Sequence, residues 1–349
     1  METTAGSGQP HGVAFGASGN FSPDAVAASL ARGDGGFGRA QETYYDHPIL
    51  RKAHWRWEIV GYFFVGGASA GSAALASFAS QSDDPGDRRL VRNARYTALI
   101  GSALSGALLV KDLGRPERFL NMLRIVKLKS PMSVGVYALS SFSTVAGIEA
   151  VRQARADGVV PVDPFGWIPP ALIAPVKAIS TALMASYTGV LISATAIPVW
   201  YRGRRHIPAI FVLSGVAAGA ALQNVLLALT GPPTATSRKL EIVETVAALA
   251  EAALLLHYER AAGEAGNALF AGPRGSKLKT WTLGVGTALP LLLSLPSLVR
   301  PGAHNKPHRV RTLLTAACAL AGGYVLREAM VYAGRDSADD PRAYLRHPE

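Results

Sequence analysis

The sequence predicts an all-α, polytopic membrane protein with a bundle of about eight transmembrane helices. The 349-residue chain is 49% hydrophobic and only 17% charged. Its mean hydropathy of +0.20 is too high for a disordered chain and unusual for a soluble domain. The apolar residues are gathered in runs of about 20 residues, the length that an α-helix needs to cross the hydrocarbon layer. Prolines lie inside several runs, and membrane helices tolerate proline because neighbouring helices satisfy the freed carbonyl groups.

The apolar runs define eight predicted spans, and an even number of spans places both termini on one side of the membrane. Tails and loops on that side carry about 20 Lys and Arg residues, against about 12 on the other side. The positive-inside bias therefore predicts a cell (inner or plasma) membrane protein with cytoplasmic termini. The predicted spans are Trp57–Ser80, Asn93–Leu113, Ser133–Val151, Ala171–Trp200, Ile207–Thr230, Leu240–Tyr258, Trp281–Val299 and Thr312–Ala333.

Outside the spans, the sequence predicts three further segments. Residues 1–40 are Gly-rich and lack the cationic start and apolar core of a signal peptide, so we expect a mobile tail that is retained. Residues 41–56 combine aromatic and basic side chains, which suits the membrane interface or the docking of a partner. The membrane domain is expected over 57–333 and a C-terminal tail over 334–349.

The composition excludes several classes of protein and cofactor. A lone cysteine, Cys318, leaves this chain without ligands for an iron–sulfur cluster or a Cys-ligated zinc ion. A transmembrane haem commonly uses two histidines, but only His257 lies inside a predicted span, so we predict no haem and no metal site. The net charge of +11 arises from basic residues in short loops between apolar runs, where membrane lipid is the expected partner and nucleic acid is not.

Two groups of ionisable residues lie inside or at the edges of the spans. Placing a charged group in the hydrocarbon layer costs free energy, so residues kept there are candidates for a function. Up-and-down connectivity brings the first group to the membrane face that carries the termini. Its members are Glu58, Lys111, Asp112, His257, Glu259, Arg327 and Glu328. His257 is interpreted either as a packed interfacial histidine or as a group that handles protons.

The second group is a glutamate stripe in the sixth predicted span. Glu241, Glu244 and Glu251 fall at about 0°, 300° and 280° around a helix of 100° per residue, so they share one face. With Lys177 of the fourth span, the stripe could guide protons. The alternatives are an ion pair, or glutamates that stay at the lipid headgroups.

Small residues and helix breakers give two local predictions. Gly67 and Gly71, like Gly215 and Gly219, are four residues apart, a spacing that lets two helix backbones approach closely. Asp112 precedes Gly114, Arg115 and Pro116, which end the second helix, and residues 118–129 then alternate basic and apolar in the manner of an interfacial amphipathic segment. A salt bridge between Asp112 and Arg115 is the structural alternative to a functional role for the carboxylate.

Three stretches of sequence resemble the NrfD family, the polysulfide-reductase type of membrane subunit. They are WRWEIVGYFFVGGASAG (55–71), LLVKDLGRPERFLNMLRIVKLKSPMSVGVY (108–137) and SYTGVLISATAIPVW (186–200). The resemblance covers roughly residues 41–333, and the DLGRPERF…SPMS run is its most specific part. It implies about eight spans without haem, a bound quinone (menaquinone or ubiquinone), an iron–sulfur partner subunit and a molybdopterin-type catalytic subunit. The long Gly-rich leader departs from the family.

This resemblance, together with the shared depth of the first polar group, predicts the site. Quinone would bind near Trp57, Glu58, Tyr62, Asp112, Arg115 and Tyr187, with Glu58, Asp112 and His257 as catalytic proton donors. If protons cross the membrane, the predicted path is Lys177, Glu241, Glu244, Glu251, Arg327 and Glu328. The alternatives are a secondary transporter, which broken helices would suit, and a purely structural membrane anchor.

Overall fold

The computed structural model describes residues 50, 52–114, 117–124, 126–127, 129–231, 235–299 and 309–340. The chain divides into two units, Met1–His47 and Pro48–Glu349. The first unit, which includes the predicted tail, and most of segment 41–56 lie outside the described residues. Within the described ranges, all of the regular structure is helical.

The described helices are numbered α1 to α12, with a 3₁₀ turn at Gly263–Gly266 and a π-helix at Lys279–Ala288 that joins α10 to α11. Their bounds are α1 Trp57–Ala79, α2 Pro85–Asp112, α3 Glu117–Arg124, α4 Pro131–Ala156, α5 Pro170–Ser193, α6 Pro198–Arg202, α7 Ile207–Thr230, α8 Ala235–Ala262, α9 Asn267–Phe270, α10 Gly272–Leu278, α11 Leu289–Val299 and α12 Arg309–Asp339.

The predicted fold class, an all-α polytopic membrane bundle, is confirmed. Six described helical segments are long and apolar enough to cross a membrane. Helices α2 and α8, which correspond to the second and sixth predicted spans, are 28 residues long but carry more charged side chains. The six segments are α1, α4, α5, α7, the continuous helix formed by α10, the π-helix and α11 (hereafter the α10–α11 helix), and α12.

Several helix ends differ from the boundaries of the predicted spans. The fourth span was expected to reach Trp200, but α5 ends at Ser193 and the separate helix α6 begins at Pro198. The residue before a proline is disfavoured in the helical conformation, and Ile197 is accordingly extended. The seventh helical segment begins at Gly272 rather than at position 281, and α12 continues to Asp339, into the predicted C-terminal tail.

The long helices form two rings of four. In the N-terminal ring, α1 and α4 each pack against both α2 and α5. In the C-terminal ring, α7 and the α10–α11 helix each pack against both α8 and α12. The rings meet because α1 and α5 pack against α7. A Cβ atom at Gly71 would lie 2.1 Å from the Gly215 carbonyl oxygen, so both glycine pairs lie at a close approach of helix backbones, and the structure shows that the two helices are α1 and α7.

Contacts between helix ends define two faces of the bundle. At the near face, where α1 begins and α2 ends, Lys111 lies 3.5 Å from Glu58. At the far face, where α2 and α8 begin, Lys239 lies 2.8 Å from Asp87. Helix α2 starts at the far face with Asp84 as its N-cap, whose carboxylate accepts hydrogen bonds from two backbone amides of the first turn.

Candidate functional site

A partly open cavity lies inside the near-face end of the N-terminal ring, and its empty space, including the part open to solvent, is about 470 Å³. The starts of α1 and α4 and the ends of α2 and α5 enclose it, and α3 contributes Met122. Its wall is mostly apolar, with a few polar groups among the apolar side chains, as in sites for small organic ligands. Six of the lining residues are Trp55, Tyr62, Asp112, Met122, Met132 and Tyr187.

The two tyrosines of this near-face cavity have different hydrogen-bond states. Tyr187 donates to the Pro131 carbonyl oxygen at 2.8 Å. Tyr62 is only 1% exposed, and its hydroxyl has no hydrogen-bond partner among the described residues. A buried hydroxyl without a partner costs about 1–3 kcal/mol, so a bound ligand that accepts this hydrogen bond gains correspondingly.

The Tyr187 ring packs directly against Gly135, where no side chain occupies the space. A Cβ atom at Gly135 would lie 1.8 Å from the Cζ atom of that ring, so any larger residue would displace it. The hydrogen bond of Tyr187 to the start of α4 therefore depends on the glycine in the SPMSVG sequence. This dependence explains why the two quoted motifs at 108–137 and 186–200 meet in space.

The two carboxylates predicted for the site lie at the near face, and one of them contributes to the wall of the near-face cavity. Asp112 lines it, is half-buried and interacts electrostatically with Glu58, His54 and Arg56. Glu58 is buried, and its Oε2 atom has no hydrogen-bond partner in the described ranges. Glu58 and Asp112 are thus brought together, as the sequence predicted.

Two other residues predicted to bind quinone have different positions. Trp57 is half exposed and lies under the ammonium group of Lys111, which is 4.3 Å from the ring centroid. This places Trp57 beside the Glu58–Lys111 pair rather than in the wall of the cavity. Arg115 lies outside the described residues, so the alternative Asp112–Arg115 salt bridge stays a prediction.

The predicted amphipathic segment contains a short helix, α3, that closes one side of the near-face cavity. Met122 of this helix lines the cavity. The hydroxyl of Tyr137 on α4 donates to the Leu123 carbonyl oxygen at 2.7 Å, which ties α3 to the ring. The segment therefore forms part of the site, a role that its alternating pattern alone did not indicate.

The glutamate stripe lies in the C-terminal ring, and all three carboxylates are buried. Near the far face, Glu241 lies 3.4 Å from Arg311 and accepts a hydrogen bond from Thr312 at 3.3 Å. Glu244 follows it and interacts with the side chain of Asn224 on α7. Arg311 was not predicted as a partner of the stripe, because it lies in the first turn of the last helix, like an ordinary headgroup arginine.

Glu251, the deepest member of the stripe, shares a polar centre with Arg327. Arg327 is fully buried and donates to Ser214 Oγ at 2.7 Å, and both residues interact electrostatically with Glu251. The remaining Arg327 donors reach backbone carbonyl oxygens, including that of Phe63 at 3.1 Å. A cavity of about 250 Å³ lies beside this centre and is lined by Ser214, Glu251 and Thr282.

Two residues of the predicted proton path are not brought together with the stripe. Glu328 follows Arg327 in sequence but points to the near-face surface, where it lies 2.6 Å from Lys277. Lys177 lies in the N-terminal ring, 3.3 Å from Glu149. Ser214 takes the connecting position that the sequence analysis did not assign, since a single serine in an apolar span gave no signal.

His257 lies near the near-face end of α8 and is not part of the cavity wall. Its ring centroid is 5.0 Å from that of His206, which stacks on Tyr258. The pKa of His206 is lowered, mainly because its ring is partly buried and also because His257 and Arg205 lie nearby. In the part of the chain that the structure describes, no three His, Cys, Asp or Glu side chains are grouped so that they could hold a metal ion.

The six long apolar helices define this molecule as a multi-pass membrane protein, and the near-face cavity lies between its helices. The chain belongs to the NrfD family, since the family model described as "Polysulphide reductase, NrfD" matches residues 49–336. The family resemblance predicted from the three quoted stretches is therefore confirmed.

Two relatives align with most of the chain. One subunit of the polysulfide reductase of Wolinella succinogenes is 28% identical over 313 residues, which cover 80% of this chain and 94% of the relative. Protein NrfD of Escherichia coli strain K12 is 27% identical over 312 residues, which cover 80% of this chain and 95% of the relative.

Proposed function

We propose that this chain is the membrane subunit of a multi-subunit oxidoreductase and that it exchanges electrons between membrane quinone and a partner iron–sulfur subunit. The observation that carries the proposal is the near-face cavity, where the unpartnered hydroxyl of Tyr62 lies in a mostly apolar wall with Asp112 at its rim. Family membership agrees with this function, because the Wolinella succinogenes relative is named as one subunit of a polysulfide reductase, a name that implies further subunits.

The residues of the near-face cavity fit a quinone headgroup. A quinone combines a flat apolar ring and tail with carbonyl oxygens that only accept hydrogen bonds. Tyr62 offers the matching donor, while Trp55, Met122 and Met132 provide apolar contact surface. Bound there, a quinone would supply the electron- and proton-accepting chemistry that the side chains of this protein lack.

Glu58 and Asp112 are proposed to supply protons to this site. Reduction of quinone in a low-dielectric cavity leaves negative charge that must be neutralised by protons. Asp112 lines the cavity and interacts electrostatically with Glu58, and Glu58 reaches the near-face surface through exposed Lys111. His257 packs against His206 and does not line the cavity. Its proposed role is limited to the uptake of protons at the near face.

The electrons are proposed to arrive from a partner at the near face. The single cysteine of the chain cannot hold an iron–sulfur cluster, so clusters must belong to another subunit. The near-face cavity and α3 lie on this face, and we propose that the iron–sulfur subunit docks there and connects to a molybdopterin-type catalytic subunit. In the proposed orientation, this face and both termini are on the cytoplasmic side of the cell membrane.

Proton transfer across the membrane is proposed to use the glutamate stripe. Glu241, Glu244 and Glu251 run from the far face toward the middle of the bundle, where Ser214 connects Glu251 with Arg327. Arg327 in turn donates to the carbonyl oxygen of Phe63, the neighbour of the cavity residue Tyr62. The stripe therefore approaches the quinone site from the far face.

The Tyr62→Phe variant of the purified complex tests the proposed function. Loss of one hydrogen bond to quinone should weaken quinone binding about 2- to 10-fold while leaving the assembled complex intact. Tyr332→Phe, on α12 and away from the near-face cavity, is the matched control. Unchanged quinone binding in Tyr62→Phe, or substrate transport by the chain alone in liposomes, would contradict the proposal.

A further inference from the structure

A second, partly open cavity lies at the far-face end of the same N-terminal ring, and its empty space, including the part open to solvent, is about 330 Å³. We call it the far-face cavity. It lies between α1, α2, α4 and α5, and its inner wall is built from small and apolar side chains. Six of its lining residues are Ala73, Ala94, Ala98, Phe142, Val145 and Ala146. It is separate from the near-face cavity, and the proposed function assigns it no role.

Charged side chains at the mouth of the far-face cavity leave a positive excess. Arg95 Nε lies 3.0 Å from Glu149 Oε2, and Lys177 Nζ lies 3.3 Å from the same oxygen. Two cations therefore share one carboxylate. Arg95 also donates to the side chain of Gln153 at 2.9 Å. The side chains of Arg95 and Lys177 are 27% and 17% exposed.

A buried hydroxyl group also lines the far-face cavity. Thr181 is 6% exposed, and its Oγ1 atom has no hydrogen-bond partner among the residues that the structure describes. Buried hydroxyl groups in proteins nearly always have a partner, so this one is a donor available to a bound molecule. The donor, the two cations and the apolar wall together suit a molecule with an anionic head and an apolar body.

The position of the far-face cavity suits a lipid. Arg92 and Asp157 are joined at 2.8 Å at the far-face end of the ring. Arg92 lies about one helical turn closer to the far face than Arg95, and Asp157 about two turns closer than Glu149, so the cavity mouth lies near this end. On the outside of α5, a stripe of exposed apolar side chains passes Lys177, with two members on its far-face side and two toward the bundle centre. Its members are Leu172, Val176, Ile179 and Leu183.

We propose that the far-face cavity binds one anionic phospholipid. Arg95 and Lys177 hold its phosphate, Thr181 donates to a phosphate or ester oxygen, and an acyl chain packs against the alanines and the outer stripe of α5. Basic pockets between membrane helices are suited to anionic headgroups because each Lys or Arg near the surface adds electrostatic attraction. Lys177 thereby belongs to a lipid site and not to the proton path.

Thermal unfolding of the delipidated chain in detergent tests the lipid site. Added phosphatidylglycerol should raise Tm more than phosphatidylcholine with the same acyl chains. The Lys177→Gln variant should bind phosphatidylglycerol about fivefold more weakly, as expected for one lost cationic contact. Arg155→Gln, which removes an exposed arginine at the same face, is the control and should bind like the wild type.

A second pair of variants keeps the test decisive if Lys177→Gln does not fold. Thr181→Val should weaken phosphatidylglycerol binding, whereas Thr181→Ser, which keeps the hydroxyl, should not. Equal binding in all variants would overturn the proposal. Equal stabilisation by phosphatidylcholine would also overturn the proposal, because it would indicate acyl-chain contact alone. Equal stabilisation by inorganic phosphate would overturn it too, because it would indicate a site for free anions.

Discussion

The guanidinium of Arg327 donates a 2.7 Å hydrogen bond to Ser214, and both residues are buried in the C-terminal ring. Ser214 and Arg327 both interact electrostatically with Glu251, so the deepest carboxylate of the glutamate stripe lies in the same polar centre as the buried arginine. The same guanidinium donates to the backbone of Phe63 in α1. The polar centre of one ring is thereby attached to the helix that carries Tyr62 of the near-face cavity.

This arrangement gives the first prediction, for Glu251→Gln. If the stripe conducts protons, the variant should keep electron transfer to quinone and lose proton uptake from the far face, because glutamine cannot release a proton. Proton uptake by the complex in liposomes, followed with an enclosed pH dye, measures this. Glu259→Gln on the same helix, whose carboxylate pairs with Lys279 at the surface, is the control. Unchanged proton uptake in Glu251→Gln would indicate that the glutamate stripe has only a structural role.

The second prediction concerns Asp112 at the rim of the near-face cavity. Asp112→Asn should assemble normally but lower quinone turnover, at a cost of about 1–3 kcal/mol in the barrier if the carboxyl group donates a proton or a charge-assisted hydrogen bond. Steady-state turnover per assembled complex measures the effect. Asp336→Asn, which removes an exposed carboxylate paired with Arg274 at the same face, should have no such effect. Lost assembly with unchanged turnover per complex would favour a structural role.

The third prediction is the side of the membrane on which the near face lies. Ser130 precedes α4 at this face, and the positive-inside bias places it in the cytoplasm. A membrane-impermeant thiol reagent applied to intact cells should therefore leave an introduced cysteine in Ser130→Cys unlabelled. A cysteine introduced at Asp83, in the far-face connection between α1 and α2, should be labelled. The opposite pattern would invert the orientation and move the proposed docking face outside.

The fourth prediction tests the contact between the rings. In Gly71→Ala the new methyl group would overlap the Gly215 carbonyl, so α1 and α7 must separate, at a cost of about 1–3 kcal/mol. A lower midpoint of unfolding in detergent would show this loss. Gly147→Ala, where a Cβ atom meets no neighbour within 4 Å, should instead be neutral or slightly stabilising. Equal effects of the two substitutions would contradict the close approach.

The sequence by itself determined the membrane class, the approximate number and order of the long helices, and which residues share a helical face or a depth. Hydrocarbon thickness fixes the length of an apolar run, and the helical repeat of 3.6 residues fixes the common face of Glu241, Glu244 and Glu251. The same rules placed Glu58 and Asp112 at one face, because α1 begins where α2 ends. Each of these features depends only on local geometry and connectivity.

Only the tertiary structure decided which helices are neighbours. Periodicity gives each helix a face but does not say which of the other helices covers it. The structure pairs Lys177 with Glu149 instead of with the glutamate stripe, and it places Ser214 between Glu251 and Arg327. The near-face and far-face cavities have the same origin, since each is enclosed by four helices from separate parts of the sequence. Their shape and their unpartnered hydroxyl groups arise from packing between residues that are distant along the chain.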